Sequence, residues 1–66
     1  MRHLTTFRLI DQVAKSGSIR SAADALALAP SAVQRRLQAF EDEIGERIFE
    51  RLPNGVRLNA AGELVI

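Results

Sequence analysis

The hydrophobic positions of the chain follow a helical period from its beginning. Apolar residues recur there at steps of three: Leu4, Phe7, Ile10 and Val13. This spacing suits one stripe of an α-helix and excludes the alternation of a strand, so we expect a first helix to about Ala14. The segment KSGS at 15–18 then interrupts the pattern. Gly17 suits a helix C-terminus, and Ser18 can cap the helix that follows.

Two further helices are predicted before residue 46. The second carries small residues that allow close helix packing, together with one leucine: Ala22, Ala23 and Leu26. The third begins near Pro30, which is tolerated in a first turn. Ser31 and Gln34 also fit the capping box S-x-x-Q, which would start this helix one residue later. A predicted buried stripe at steps of four, three and four precedes Gly45, the expected helix end: Val33, Leu37, Phe40 and Ile44.

The remaining pattern predicts a β-hairpin and the start of another helix. Pro53, Asn54 and Gly55 are strong turn signals, and Val56, Arg57 and Leu58 alternate as in a strand. The hairpin should occupy about 50–58. Asn59 can cap a helix that starts near residue 60 and stops within about two turns. We therefore expect this last helix to be part of a longer one.

Composition narrows the class of protein. A chain of 66 residues allows one small domain, and it has no cysteine for a disulfide or a cysteine-based zinc site. No apolar run reaches the length of a membrane span, and the N-terminus lacks the apolar core of a signal peptide. We expect a cytoplasmic protein.

The charges are unevenly distributed, although the net charge is only +1. Residues 15–36 carry four cations against one carboxylate, a net +3, whereas residues 37–50 carry one cation against five carboxylates, a net −4. On the third helix, Arg35 lies about 160° from the buried stripe, with Ser31, Gln34 and Gln38 on the same outward side and Arg36 nearer the flank. This order is expected if the first two turns meet a polyanion and the last turns do not.

Three helices followed by a hairpin, with a polar and basic outer face on the third helix, predict a mostly α winged helix-turn-helix. Three segments carry a resemblance to a known family: GSIRSAADAL resembles G-S-f-x-x-A-A-x-x-L, VQRRLQAFEDEIGERIFER resembles l-S-x-x-I-x-x-L-E-x-x-L-G-x-x-L-F-x-R, and VRLNAAG resembles v-x-L-T-x-A-G. The chain thus resembles the N-terminal DNA-binding domain of LysR-type transcriptional regulators. The resemblance implies a winged helix-turn-helix at 1–59, a linker helix from 60–66 onward that forms a homodimer, and a further C-terminal domain that binds a small-molecule inducer.

The resemblance also implies sites on double-stranded DNA, with the recognition helix at about 30–44 in the major groove and the wing near the minor groove. Base-reading positions are Pro30, Ser31, Gln34 and Arg35, and three of these depart from the family's common residues. Arg35 can pair with guanine and Gln34 with adenine, although Gln34 could instead cap the N–H of Ser31 and contact no base. Positions that fit backbone or wing contacts are Ser18, Arg20, Gln38, Arg51, Asn54 and Arg57. Asn54 stands where a minor-groove arginine is frequent, and Asn59 replaces the usual threonine.

Other residues have structural interpretations. We expect Glu41 to form an ion pair with Arg51 or Arg47. Three aromatic rings are assigned to the core: Phe7, Phe40 and Phe49. His3 has no second ligand nearby, so we expect neither a metal site nor a cofactor. The sequence offers no nucleophile with a neighbouring base, so we do not expect an enzyme. A winged-helix protein-interaction module is the alternative function, because the acidic segment 41–50 could meet a basic partner.

Overall fold

The computed structural model describes residues 2–65, and side chains within residues 5–64. The elements follow in the order α1 (Arg2–Ser16), α2 (Ile19–Leu26), α3 (Pro30–Ile44), β1 (Phe49–Leu52), β2 (Gly55–Leu58) and α4 (Ala60–Val65). Helix α1 extends about two residues further at each end than its apolar stripe predicts. The His3 side chain and Ile66 lie outside the described residues. None of the described helices is long and apolar enough to cross a membrane.

Backbone caps join α1 to α2 as expected. Gly17 adopts a left-handed φ of 75°, and its N–H donates to the Val13 carbonyl at 2.9 Å. The Ser18 hydroxyl then accepts the Ser21 N–H at 3.0 Å, which caps α2. The break in the apolar pattern therefore marks the true junction of the two helices.

The turn between α2 and α3 is made without glycine. Ala27 takes a left-handed conformation, φ 57° and ψ 41°, and its N–H reaches carbonyls in the last turn of α2. Helix α3 begins at Pro30, and Ala29 is its N-cap residue without a side-chain hydrogen bond. Ser31 thus lies inside the helix, and the alternative capping box is wrong. Gly45 ends α3 with φ 74°, as predicted.

One hydrophobic core lies between the first three helices and the hairpin. Its buried members are Leu9, Ile10, Val13, Ala22, Ala23, Val33, Leu37, Phe40, Ile48 and Val56. The prediction that Ile44 is buried is wrong, because this last residue of α3 lies a full turn beyond Phe40 and remains 42% exposed.

Two of the three aromatic rings assigned to the core belong to it. Phe40 is buried, and Phe49 is half-buried against the same cluster. The Phe7 ring is 38% exposed. It covers the Phe40 ring edge-on, with centroids 5.8 Å apart and an interplanar angle of 72°. The assignment of Phe7 to the core is therefore wrong, since its ring forms the margin of the cluster.

The start of β2 is fixed to the junction between α1 and α2. Strands β1 and β2 pair antiparallel with Glu50 opposite Arg57 and Arg51 opposite Val56. The Val56 N–H donates to the Gly17 carbonyl at 2.9 Å, and a Cβ on Gly55 would lie 2.1 Å from that same oxygen. Glycine is required there because the hairpin approaches the α1–α2 junction so closely.

Helix α4 is capped as the sequence predicts. The Asn59 Oδ1 accepts the Gly62 N–H at 2.8 Å, and the Asn59 Nδ2 donates to the Arg47 carbonyl at 2.9 Å. A Cβ on Gly62 would lie 2.2 Å from the Ile48 carbonyl oxygen. Helix α4 therefore packs directly on the segment that leads into β1.

Candidate nucleic-acid interface

The outward side of α3 presents a continuous polar stripe. Around the helix axis, Ser31, Arg35, Gln38 and Asp42 fall within roughly 60° of one another, and all four residues are exposed. Arg35 and Arg36 also border an open depression of about 390 Å³, whose floor is made by Ala32 and Ala39. Small residues between the two arginines leave their guanidinium groups accessible to a large ligand.

Gln34 lies toward the wing and not at the centre of this stripe. It is half-buried in a narrow cleft of about 40 Å³ between α3, the start of α2 and the hairpin. The polar side chains of this cleft come from two elements and the segment between them: Gln34, Gln38, Glu41, Arg47 and Arg51. Of the residues predicted to contact DNA, the fold thus brings Gln34, Gln38 and Arg51 together.

The two wing arginines lie on opposite faces of the hairpin. Paired residues of an antiparallel ladder project to the same side. Arg51 therefore shares the face of its partner Val56, which packs toward the helices. Arg57 projects to the other face, where its Nε and Nη2 donate to Glu50 Oε1 at 2.9 and 2.8 Å. Arg51 is the wing cation beside α3, whereas Arg57 is already paired.

The other residues predicted to contact the DNA backbone lie at the start of α2 and at the tip of the hairpin. Ser18 and Arg20 lie at the cap and first turn of α2, where Arg20 is exposed. The Ser18 hydroxyl accepts the cap bond and keeps its own proton for a further acceptor. Asn54 is exposed in the two-residue turn at the tip of the hairpin.

Glu41 does not form the ion pair that the sequence predicts. Its Oε2 accepts the backbone N–H of Ile48 at 2.8 Å and that of Phe49 at 3.4 Å. Within residues 5–64, the salt bridges found are Lys15 with Asp11 and Arg57 with Glu50. The carboxylate therefore satisfies backbone donors of the segment entering the hairpin, and it neutralises neither Arg47 nor Arg51.

One polar contact of the stripe has no counterpart in the predicted site. The Gln38 Nε2 donates to Asp42 Oδ1 at 3.0 Å. The signal was present in the sequence as a Gln and an Asp four residues apart on one helix, a spacing that favours such a bond. Asp42 consequently belongs to the outward face of α3 together with the candidate DNA contacts.

The charges along α3 change sign from its first turns to its last. Cations occupy its first turns at Arg35 and Arg36, and exposed carboxylates follow at Asp42 and Glu43. The positive end of the helix dipole coincides with the basic end. Helix α3 has this charge order, the short helix α2 precedes it through a tight turn, and a hairpin with a cation beside α3 follows. Together these features are typical of the winged helix-turn-helix class of DNA-binding proteins.

Comparison with known proteins identifies the family within this class. Residues 4–63 match the sequence model described as "Bacterial regulatory helix-turn-helix protein, lysR family", and the chain belongs to that family. The regulator CbbR of Xanthobacter flavus is 40% identical over 60 residues, which cover 91% of this chain and 18% of the relative. The regulator y4mQ of Sinorhizobium fredii is 36% identical over 63 residues, 96% of this chain and 21% of the relative. The chain therefore spans about a fifth of the length of these relatives.

Solved structures agree with this assignment. The DNA-binding domain of CbnR in complex with DNA superimposes with a TM-score of 0.87 at 30% identity, covering 92% of this chain and 70% of that chain. The DNA-binding domain of BenM bound to the benA site 1 DNA gives a TM-score of 0.88 at 29% identity, covering 94% of this chain and 70% of that chain. The three helices and the hairpin are therefore those of the DNA-binding domains of lysR-family regulators.

Proposed function

We propose that this chain reads an operator sequence for a LysR-type transcriptional regulator. Helix α3 enters the major groove of double-stranded DNA with its outward stripe, and the hairpin lies near the minor groove. The observation that carries this proposal is the pair of exposed residues Ser31 and Arg35 at the start of the stripe, which are polar and basic, with Arg51 of the wing beside Gln34 and Gln38 of the same helix. Related domains bound to DNA in CbnR and BenM support it.

The proposed base-reading residues lie in the first turns of α3: Pro30, Ser31, Gln34 and Arg35. Arg35 can donate two hydrogen bonds to guanine O6 and N7, which is worth about 1–3 kcal/mol of discrimination. Gln34 makes no hydrogen bond among the described side chains, so its amide is available to a base or to a phosphate that enters the cleft. The start of α3 at Pro30 supports base contact over the capping alternative.

The proposed backbone contacts set the register of the domain on the duplex: Ser18, Arg20, Arg51, Asn54 and Arg57. Arg51 is the strongest of these, since it is exposed and unpaired within the described structure and lies beside α3. Arg57 keeps free N–H groups for a phosphate, but the Glu50 carboxylate beside it offsets its charge, so its contribution is smaller. Gln38, grouped with these residues by the sequence, donates to Asp42 instead.

The whole protein is proposed to be a dimer. In this proposal, residues 1–59 form the DNA-binding domain, residues 60–66 begin a linker helix that pairs with a second copy, and a C-terminal domain binds a small-molecule inducer. Two half-sites would then match the two-fold symmetry of the dimer. The protein would work on the nucleoid in the cytoplasm as a binding protein without catalytic activity.

The proposal is tested by selecting binders from a randomised duplex library at two salt concentrations. The wild-type chain should enrich one half-site, and its affinity should fall steeply with salt because phosphate contacts release counterions. Arg35→Ala should lose the preference at one base pair. Arg36→Ala is the matched control, because it removes the same charge from the flank of the same helix and should weaken binding to all sequences equally. Salt-sensitive binding without an enriched sequence would contradict the proposal and favour the protein-interaction module.

A further inference from the structure

The hydrogen bond between Gln38 and Asp42 fixes which end of the Gln38 amide faces outward. An ionised carboxylate can only accept hydrogen bonds, so the NH₂ group must point to Asp42. The bond is 3.0 Å long, and the two residues lie one helical turn apart on the exposed stripe of α3. The carbonyl oxygen Oε1 of Gln38 is therefore the end of the amide that Asp42 leaves free, on a side chain that is exposed.

This orientation is unsuited to a phosphate. A phosphate oxygen needs a donor, and Oε1 is an acceptor. The donor end of the Gln38 amide lies beside the Asp42 carboxylate, whose negative charge repels a phosphate group. Gln38 thus differs from Arg51 and Arg20, whose guanidinium groups are exposed and make no ion pair within the described residues.

The position of Gln38 places its oxygen near base edges. It lies three residues after Arg35, which is about 4.5 Å along the helix axis and roughly 60° around it. Successive base pairs are about 3.4 Å apart. When Arg35 contacts one base pair from the major groove, Gln38 is therefore about one base pair further along the duplex.

We propose that Gln38, held by Asp42, is a specificity-determining residue. Its Oε1 accepts a hydrogen bond from the exocyclic amino group of an adenine or a cytosine, on the base pair next to the one read by Arg35. This inference rests on the proposed function of α3 in the major groove. Adenine N6 and cytosine N4 are donors there, whereas guanine O6 and thymine O4 are acceptors that repel Oε1. The preference is thus for an amino group over a keto group at one position.

Asp42 acts as a positioning residue in this arrangement. With asparagine at position 42, the neighbouring side chain could both donate and accept, and the Gln38 amide could rotate to present its NH₂ group to guanine or thymine. Glu43 provides a matched control. It is an exposed carboxylate in the same turn, and it has no hydrogen-bond or ion-pair partner among the described residues. Asp42→Asn and Glu43→Gln remove the same charge, but only the first releases Gln38.

The experiment measures affinities of the 66-residue chain for duplexes that carry the selected half-site with each of the four base pairs at the position next to the Arg35 contact. We compare the wild-type chain with Gln38→Ala, Asp42→Asn and Glu43→Gln by fluorescence anisotropy at one salt concentration. The wild-type chain should prefer adenine or cytosine by about fivefold over guanine and thymine. A duplex whose preferred base is replaced by an analogue lacking only the amino group should lose this preference.

The variants give distinct expected results. Asp42→Asn and Glu43→Gln should both bind every duplex more tightly, because each removes a negative charge near the DNA. Only Asp42→Asn should reduce the preference to less than twofold, and Gln38→Ala should abolish it. The inference would be overturned if Asp42→Asn and Glu43→Gln had the same base preference at this position. It would also be overturned if Gln38→Ala kept the half-site unchanged. Either result would leave the proposed function intact. The absence of any selected half-site would overturn both.

Discussion

The contact of Glu41 with the backbone predicts a large and specific loss of stability in Glu41→Ala. The Ile48 residue is fully buried, and its N–H donates to the Glu41 carboxylate at 2.8 Å. Removal of the carboxylate leaves this donor of a fully buried residue without its acceptor. A lost hydrogen bond to a charged group costs about 1.5–3 kcal/mol.

This loss is large for a domain of this size. A single core of fewer than about 70–80 residues rarely supplies more than roughly 3–5 kcal/mol. Glu41→Ala should therefore lower the melting temperature by roughly 6–24 °C, since 1 kcal/mol shifts it by about 4–8 °C in small domains. Urea unfolding followed by circular dichroism gives the free energy directly, and the slope with urea should stay unchanged.

Three variants separate the backbone contact from the ion pair that the sequence predicts. Glu41→Gln keeps an acceptor oxygen at the same reach and should lose about half as much, because a neutral hydrogen bond is roughly half as strong. Glu43→Ala, an exposed carboxylate on the same helix, should stay within about 0.5 kcal/mol of the wild-type chain. Arg51→Ala should also stay within that range. A loss in Arg51→Ala equal to that in Glu41→Ala would refute the backbone contact as the cause.

Two further predictions concern backbone conformation. Ala27→Gly should raise the free energy of unfolding by about 0.5–1 kcal/mol, because Ala27 has a left-handed φ of 57° that glycine adopts without strain. In thermal unfolding, the control Ala25→Gly within α2 should lower the stability. Stabilisation by neither variant or by both would contradict the argument. Gly62→Ala should destabilise the domain by at least about 1 kcal/mol, because the new Cβ would lie 2.2 Å from the Ile48 carbonyl oxygen. The same measurement on Glu63→Ala should show little change, and equal effects at both positions would exclude the close contact as the reason.

The helices and the hairpin could be predicted from the sequence because their signals are local. The three-residue spacing of α1, the Ser18 cap, the glycine after α3 and the PNG turn each involve neighbours along the chain. The same periodicity predicts Ile44 and Phe7 in the core, but both are partly exposed. Periodicity identifies the face of a helix on which a residue lies, but the depth of burial depends on which other element covers that turn.

In the candidate site, too, some features follow from local sequence and others depend on how the elements pack. The outward face of α3 could be predicted from angles around one helix, and Arg51 could be placed in the wing. The partner of Glu41 could not, because a backbone N–H seven residues away has no signature in the side-chain sequence. The separation of Arg51 from Arg57 also required the strand register, since a slip of one residue between the strands would pair the two arginines and place both on one face.

The peptide groups of Ile48 connect the recognition helix to α4. Its N–H donates to Glu41 of α3, and its carbonyl accepts the N–H of Asn59, the cap of α4, at 2.9 Å. Gly62 packs against that same carbonyl, and Asn59 also holds the preceding carbonyl of Arg47. The direction of α4 relative to α3 is thus set by contacts on consecutive backbone groups and not by a free joint. In the proposed dimer, this junction would transmit the geometry of the paired linker helices to the spacing of the two recognition helices.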